Sequence, residues 1–204
     1  MSLSSPTHDP RGDAHVRPGA QAPRSLSVEL RISVPLHHLL YLPPEYDPAG
    51  NERWPLLLFL HGAGERGQDL EKLKAHGPPK LIASGRHLPF VVVSPQCAGY
   101  PDGWWDPRAL SALLDDVIAR FLIDEERIYV TGMSMGGFGT WALACAYPER
   151  FAAAVPICGG GHPKRVSAMR GIPTWVFHGE ADPIVPLWRS SELVDALRLA
   201  GGNV

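Results

Sequence analysis

The chain has 204 residues, of which 45% are hydrophobic and 20% charged, and its formal net charge is −2. This length suits one soluble domain that folds without disulfides or a metal. The charge balance excludes a basic nucleic-acid-binding protein. The longest apolar run, residues 56–60, is too short to span a membrane. Three scattered cysteines exclude a disulfide framework or a zinc site.

The first 25 residues are predicted to form a disordered leader. Ten of them are Ser, Pro or Gly, and such a segment buries too little apolar area to offset its conformational entropy. The leader has neither the apolar centre of a signal peptide nor paired arginines, so we expect a cytoplasmic protein. Residues 26–204 are expected to form one domain.

Apolar runs alternate with helical patterns along this domain. Residues 28–34 alternate like a half-buried strand, and residues 38–42 are its expected partner. Near-continuous apolar runs bounded by Gly or Pro predict the central strands of a parallel sheet, at 54–60, 90–93, 127–131, 151–157 and 174–177. Helices are predicted at 69–83, 110–122, 137–147 and 187–200. This alternation predicts a three-layer α/β sandwich with a mostly parallel sheet.

The sharpest motif is Gly132-Met133-Ser134-Met135-Gly136. It follows a predicted strand directly and opens a predicted helix, which is the placement that a nucleophile elbow requires. Ser134 is therefore the candidate nucleophile. The alternative interpretation is a glycine-rich helix start in which this serine is only the N-cap.

A second glycine-rich loop, residues 61–67, also follows a strand directly. A serine that attacks an ester creates an oxyanion, which backbone N–H groups must stabilise. Met135, next to the nucleophile, and Ala63 are the predicted donors, with Gly64 as the next choice in the loop. His61 is interpreted as orienting the loop, and the alternative for the whole loop is an ordinary turn.

The candidate triad acid is Asp182, which follows the predicted strand at 174–177 and lies 48 residues after Ser134. A triad acid is expected at the end of a strand beyond the elbow, where it holds the histidine. Glu180 is the less suitable acid. The alternative is that Asp182 only caps the helix that begins near Leu187.

Together these segments resemble the α/β-hydrolase esterases of the phospholipase/carboxylesterase and prolyl-oligopeptidase-like group, which includes dienelactone-hydrolase-like proteins. The resemblance runs from about Leu39 to the last residue, through YLPPEYD, LFLHGAGERG, HGPPKLI, VVSPQC, GWWD, RIYVTGMSMGGFGTW, YPERFAAAVPICGGG and WVFHGEADPIVP. It implies the α/β-hydrolase fold and cleavage of carboxylic esters through a serine acyl-enzyme. It also implies that Gln96, Trp104 and Trp105 lie near the substrate pocket, and core packing is the alternative for each.

In this fold the triad order is Ser, Asp, His, yet none of the nine histidines follows Asp182. We therefore expect the catalytic histidine, a last strand and a last helix beyond Val204. His178 is an alternative base, although the family uses a histidine at that place structurally. Loss of the last strand is expected to leave residues 174–177 as an exposed hydrophobic edge.

The expected partner is a small-molecule ester, with no nucleic acid, no membrane, no metal and no cofactor, and the oligomeric state is left open. Two other functions stay open: an inactive α/β-hydrolase-fold binding protein, and a peptidase or acyltransferase on the same fold. Cys145 and Cys158 lie in apolar stretches without a paired base and are interpreted as core residues.

Overall fold

The computed structural model describes residues 33–98 and 103–204. Contacts divide the chain into two units, Met1–Pro35 and Leu36–Val204. The predicted leader at 1–25 and most of the predicted strand at 28–34 lie outside the described residues, and residues 33 and 34 are not in a strand. The architecture that follows is that of the second unit.

The described part of this unit contains five strands and four α-helices. The strands are β1 (His38–Tyr41), β2 (Trp54–Leu60), β3 (Val91–Pro95), β4 (Ile123–Met133) and β5 (Ala153–Ile157). The helices are α1 (Gly77–Ala83), α2 (Pro107–Arg120), α3 (Met135–Ala146) and α4 (Trp188–Leu199). Short 3₁₀ helices lie at Ala63–Glu65, Leu70–Ala75, Pro148–Arg150 and Pro163–Met169.

The strands form one sheet in the order β1-β3-β2-β4-β5. Strand β1 runs antiparallel to β3, and the other neighbours are parallel. Every residue of β3 is buried, as expected for a strand covered on both faces. The mostly parallel sheet predicted from the apolar runs is therefore confirmed, whereas the strand at 38–41 pairs with β3 among the described residues.

The long amphipathic pattern at 110–122 is confirmed as helix α2. It begins earlier than predicted, because Asp106 caps it by accepting a hydrogen bond from the Arg108 N–H, and Pro107 suits the first turn. Its apolar stripe, including Leu110, Leu114 and Val117, is buried in the core. No helix in the described ranges is long and apolar enough to cross a membrane.

The single helix predicted at 69–83 is wrong, because the segment forms a 3₁₀ helix and then α1. The break is at His76, which has an extended backbone (φ −141°, ψ 164°). Gly77 follows with φ +60°, and a Cβ there would lie 2.4 Å from the Phe59 ring. Pro78 and Pro79 lack the N–H groups that would continue a helix from the preceding turn, so the helix restarts instead.

Residues 174–177 were predicted to form a strand, but they form only two isolated parallel bridges to β5. On the other side, the Thr174 N–H donates to the Asn203 carbonyl (2.9 Å). Side chains on one face of this segment are open to solvent, since Trp175 is 69% and Phe177 42% exposed. The segment therefore presents apolar side chains to solvent, although it is not a regular strand.

Helix α3 lies unusually close to the sheet at its first turn. A Cβ at Gly136 would lie 1.8 Å from the Leu60 carbonyl oxygen of β2, and a Cβ at Gly132 would lie 2.4 Å from the Gly136 carbonyl oxygen. Backbone atoms form both contacts, so they cannot move aside as a flexible side chain would. Only glycine fits at these two positions.

Replacing Gly136 by alanine is therefore expected to destabilise the protein by about 3 kcal/mol or more, because the added methyl group must displace backbone. Urea unfolding followed by circular dichroism measures the change. Gly171→Ala is the matched control, since a Cβ there meets nothing within 4 Å. The control should change stability by less than about 1 kcal/mol, and equal effects of the two changes would contradict the close approach.

Candidate active site

Ser134 occupies the turn between β4 and α3 in a backbone conformation that is rare for a residue with a side chain. Its φ is 56° and its ψ −116°. Such conformations cost free energy and persist where surrounding structure enforces them, often at functional sites. Here the close contacts of Gly132 and Gly136 hold both ends of the turn. The strand, turn and helix that the motif predicts are all present.

The Ser134 side chain does not serve as a helix cap. The residue stands at the N-cap position of α3, but its side chain makes no capping hydrogen bond. Its backbone N–H donates to the Ile157 carbonyl at the end of β5 (2.9 Å). The hydroxyl is therefore not used for capping, which removes the main structural reason for a serine at this position.

The glycine-rich loop at 61–67 lies beside Ser134. A Cβ at Gly62 would lie 3.8 Å from Ser134 Cβ and 3.5 Å from the Met133 carbonyl oxygen. Ala63 and Met135 each begin a helix, so their N–H groups have no acceptor within that helix. In the described ranges neither N–H, nor that of Gly64, donates to another backbone carbonyl. An oxyanion role for these three donors stays a prediction.

His61 holds this loop against the sheet. Its Nε2 accepts a hydrogen bond from the Cys97 N–H (2.9 Å), so the ring proton is on Nδ1, which donates to the Gly62 carbonyl (2.5 Å). Burial lowers the pKa of His61, opposed by the Gly62 carbonyl and the Glu65 carboxylate, so the neutral ring is favoured. Both ring nitrogens are occupied, as suits a residue that orients the loop.

Gln96 and Trp105 are both buried. Gln96 Nε2 donates to the backbone carbonyls of Glu65 (2.7 Å) and Asp69 (2.8 Å), which ties the loop to the start of the next 3₁₀ helix. The Trp105 ring packs edge-on against His61, with ring centroids 4.8 Å apart. These contacts are structural, and a role of either residue in binding substrate stays a prediction.

Trp104 lies differently from its neighbour Trp105. It is 56% exposed and packs edge-on against Phe138, with ring centroids 5.6 Å apart. Phe138 is one helical turn after Ser134, and its N–H donates to the Ser134 carbonyl (3.0 Å). The Trp104–Phe138 pair therefore lies near Ser134. The role of Trp104 in a substrate pocket stays a prediction.

Asp182 organises its own loop rather than capping α4. Its Oδ1 accepts hydrogen bonds from the N–H groups of Ile184 (2.9 Å) and Val185 (3.0 Å). Helix α4 has Leu187 at its N-cap and no side-chain cap. The hydrogen bonds from Val185 and Ile184 lower the pKa of Asp182, and the nearby His178 ring lowers it further. The capping alternative therefore does not describe this residue, and Glu180 is exposed.

Both ring nitrogens of His178 are engaged within the loop that carries Asp182. Nδ1 lies 2.7 Å from the Ser190 hydroxyl, and Nε2 lies 2.7 Å from the Val185 carbonyl oxygen. The Ser190 hydroxyl in turn donates to the Gly159 carbonyl (2.7 Å). These contacts join the loop to the end of β5 and leave neither nitrogen free to accept the Ser134 proton.

Neither Cys145 nor Cys158 has the lowered pKa of a reactive thiol. Burial raises the pKa of the Cys158 thiol, the Ser134 backbone N–H opposes the rise, and the Asp182 carboxylate adds to it. Burial also raises the pKa of Cys145, to about 11. Protonated thiols are poor nucleophiles, which agrees with the interpretation that neither cysteine attacks substrate.

Glu65, in the loop at 61–67, is a residue of the site that the sequence motifs do not single out. It is 8% exposed, and its carboxylate lies 3.8 Å from His61 Nδ1 and 3.6 Å from His76 Nε2. A charged residue inside an otherwise glycine-rich loop was the available signal. Within 33–98 and 103–204, no three His, Cys, Asp or Glu side chains are grouped to hold a metal ion.

Comparison with known proteins agrees with this geometry. The model of the prolyl oligopeptidase family matches residues 103–162. The crystal structure of a thermostable esterase superposes with a TM-score of 0.69 and 37% sequence identity, over 82% of this chain and 48% of the esterase. The chain has the α/β-hydrolase fold.

Curated relatives of the chain include further esterases. Poly(3-hydroxyalkanoate) depolymerase C of Paucimonas lemoignei is 35% identical over 52% of this chain and 28% of its own length. A probable feruloyl esterase C of Aspergillus terreus is 27% identical over 74% of this chain and 56% of its own length. The α/β-hydrolase chain thus spans about a quarter to a half of the length of these relatives.

The lowered pKa of Asp182 leads to a pH-dependent contribution to the stability of this α/β-hydrolase. A carboxylate with a depressed pKa stabilises the fold above its unfolded pKa of about 3.9, and this contribution disappears as pH falls through the folded pKa. Asp182→Asn should therefore be less stable than wild type at pH 7, with the difference closing below about pH 4.

Urea unfolding at a series of pH values measures this difference. Asp195→Asn, an exposed position on α4, is the matched control and should follow the wild-type profile. A difference between wild type and Asp182→Asn that does not depend on pH would show that the Asp182 charge is not responsible.

Proposed function

We propose that the protein is a serine hydrolase that cleaves carboxylic esters of small molecules through an acyl-enzyme. Ser134 is the nucleophile, Met135 and Ala63 supply the oxyanion donors, with Gly64 as an alternative to Ala63, and Asp182 orients the histidine base. The observation that carries this proposal is the turn at Ser134, whose hydroxyl makes no capping bond and which lies beside N–H groups without a backbone acceptor in the described ranges. The esterase relatives support the same class of reaction.

In the first half of the reaction, the base removes the proton from Ser134 Oγ as this oxygen attacks the ester carbonyl carbon. The carbonyl oxygen becomes an oxyanion, and the N–H groups of Met135 and Ala63 stabilise it. Ser134 lies at the N-terminus of the 12-residue helix α3, whose dipole adds positive potential at this point. The intermediate then collapses, and the protonated histidine returns its proton to the departing alcohol.

In the second half, the same histidine removes a proton from water, which attacks the acyl-enzyme and releases the carboxylic acid. Asp182 holds this histidine in the required tautomer. Its Oδ1 is occupied by two backbone N–H groups, so Oδ2 is the atom assigned to the histidine. The two backbone bonds also fix the direction of the carboxylate.

The base in this proposal is a histidine that follows Asp182, in the triad order of this fold. His61 and His178 are unsuitable, since both nitrogens of each ring already have partners. Among the pocket candidates, exposed Trp104 is assigned direct contact with substrate, whereas buried Gln96 and Trp105 are assigned to the wall behind it.

A peptidase is the second candidate, because the prolyl oligopeptidase model matches the segment that contains Ser134. Amides are harder to cleave than esters, so an esterase need not hydrolyse them. Comparing the hydrolysis of a p-nitroanilide and a p-nitrophenyl ester of the same acid distinguishes the two. Comparable turnover of the anilide would favour the peptidase.

Ser134→Ala is expected to lower kcat for a short-chain p-nitrophenyl ester by at least about a thousandfold in the full-length protein, because no other group forms the acyl-enzyme. Ser167→Ala, at an exposed position, is the matched control and should retain wild-type kcat. Unchanged turnover in Ser134→Ala would falsify the assignment. If wild type itself shows no turnover and still binds the ester, the chain acts as a binding protein.

A further inference from the structure

Glu65 is unusual among the charged residues of this protein. It is the only Asp, Glu, Lys or Arg below 9% exposure within residues 33–98 and 103–204. A buried carboxylate loses its hydration and normally regains it through hydrogen bonds or a close ion pair. The Glu65 side chain is 11% exposed, so its carboxylate has lost most of its hydration and keeps a little contact with solvent.

The carboxylate of Glu65 has no hydrogen-bond donor at bonding distance in the described ranges. The nearest ring nitrogens, His61 Nδ1 at 3.8 Å and His76 Nε2 at 3.6 Å, are both too far for a hydrogen bond. His61 Nδ1 already donates its proton to the Gly62 carbonyl. Both carboxylate oxygens are thus able to accept a hydrogen bond from another molecule.

A second acceptor without a partner lies in the same loop. Gln96 uses both of its amide hydrogens on the carbonyls of Glu65 and Asp69, so its Oε1 is left as an acceptor. Gln96 is 1% exposed, and Oε1 has no partner among the described residues. Two acceptors without donors, both joined to the loop beside the nucleophile, favour a ligand that brings a donor.

Glu65 and Ser134 lie close to each other on two sides of Gly62. The point that a Cβ at Gly62 would occupy is 3.2 Å from Glu65 Oε2 and 3.8 Å from Ser134 Cβ. The absence of a side chain at Gly62 therefore leaves the carboxylate and the serine on either side of one small space. A group that enters this space is within a few bonds of the ester that Ser134 attacks.

We propose that Glu65 forms a subsite that binds a hydroxyl group of the ester substrate, with the hydroxyl donating to its carboxylate. This inference rests on the proposed esterase function and adds the substrate class, a hydroxylated ester. A neutral donor is favoured over an ammonium group, because two cationic side chains lie at the end of the loop. Arg66 is the next residue, and Lys72 Nζ lies 4.0 Å from the position of a Cβ at Gly67.

Binding to a Ser134→Ala protein tests the subsite without turnover. Chemical shifts of the ¹⁵N-labelled protein are followed during titration with two pairs of esters, methyl 3-hydroxybutyrate against methyl butyrate, and 2-hydroxyethyl butyrate against propyl butyrate. In at least one pair the hydroxylated ester should bind about tenfold more tightly, as expected for a hydrogen bond to a charged group. Equal Kd values within both pairs would overturn the proposal.

Two substitutions in the same background connect the preference to Glu65. Glu65→Gln removes the charge and Glu65→Met removes the acceptor, so the preference should fall in the first and vanish in the second. Glu71→Gln, on the exposed side of the neighbouring 3₁₀ helix, is the matched control and should keep it. Affinity for the plain esters should not change. An equal loss for both members of a pair would mean that Glu65 only supports the loop.

Turnover by the protein with Ser134 intact separates this inference from the proposed function. In Glu65→Gln the ratio of kcat/KM for the hydroxylated ester to kcat/KM for the plain ester should fall, because only the hydroxylated ester loses a hydrogen bond to the carboxylate. If neither ester is hydrolysed while the binding preference holds, the esterase function fails and the subsite stands. If both are hydrolysed with no preference, the subsite fails and the function stands.

Discussion

The contact between the first turn of α3 and the end of β2 is the constraint on which the candidate site depends. At Gly136 the helix backbone comes so close to the Leu60 carbonyl that no side chain fits. This contact, with the one at Gly132, forces the chain through a turn too sharp for an ordinary backbone, and Ser134 carries the resulting positive φ. The strained backbone of Ser134 costs free energy, and the burial of apolar residues of α3 and the neighbouring strands offsets this cost.

The same contact brings the glycine-rich loop to the serine. The loop starts where β2 ends, so fixing α3 against Leu60 also fixes Ser134 against Gly62. His61 then sets the path of the loop through its bonds to Cys97 and Gly62. The candidate nucleophile, the glycine-rich loop and the Glu65 carboxylate thus lie close together because a single backbone approach positions all of them.

The loop that carries Asp182, the candidate acid, is held by separate contacts at the end of β5. Ile157 accepts the Ser134 N–H, and Gly159 accepts the Ser190 hydroxyl that also contacts His178. Asp182 is fixed by two backbone bonds, so its direction does not depend on a histidine partner. These contacts explain how the loop that carries Asp182 keeps its position, although residues 174–177 before it pair with β5 at only two bridges.

The sequence by itself determined the parallel sheet, helix α2 and the turn at Ser134, because continuous apolar runs, a three-to-four residue stripe and a strand–glycine–helix order are local patterns. Tertiary structure decided the rest. The break at His76 depends on the Phe59 ring opposite Gly77, and the burial of Gln96 and Trp105 depends on partners far along the chain. Glu65 is the clearest case. The sequence identifies it as a charged residue, and only the fold shows that its carboxylate lies buried beside Ser134 without a hydrogen-bond donor among the described residues.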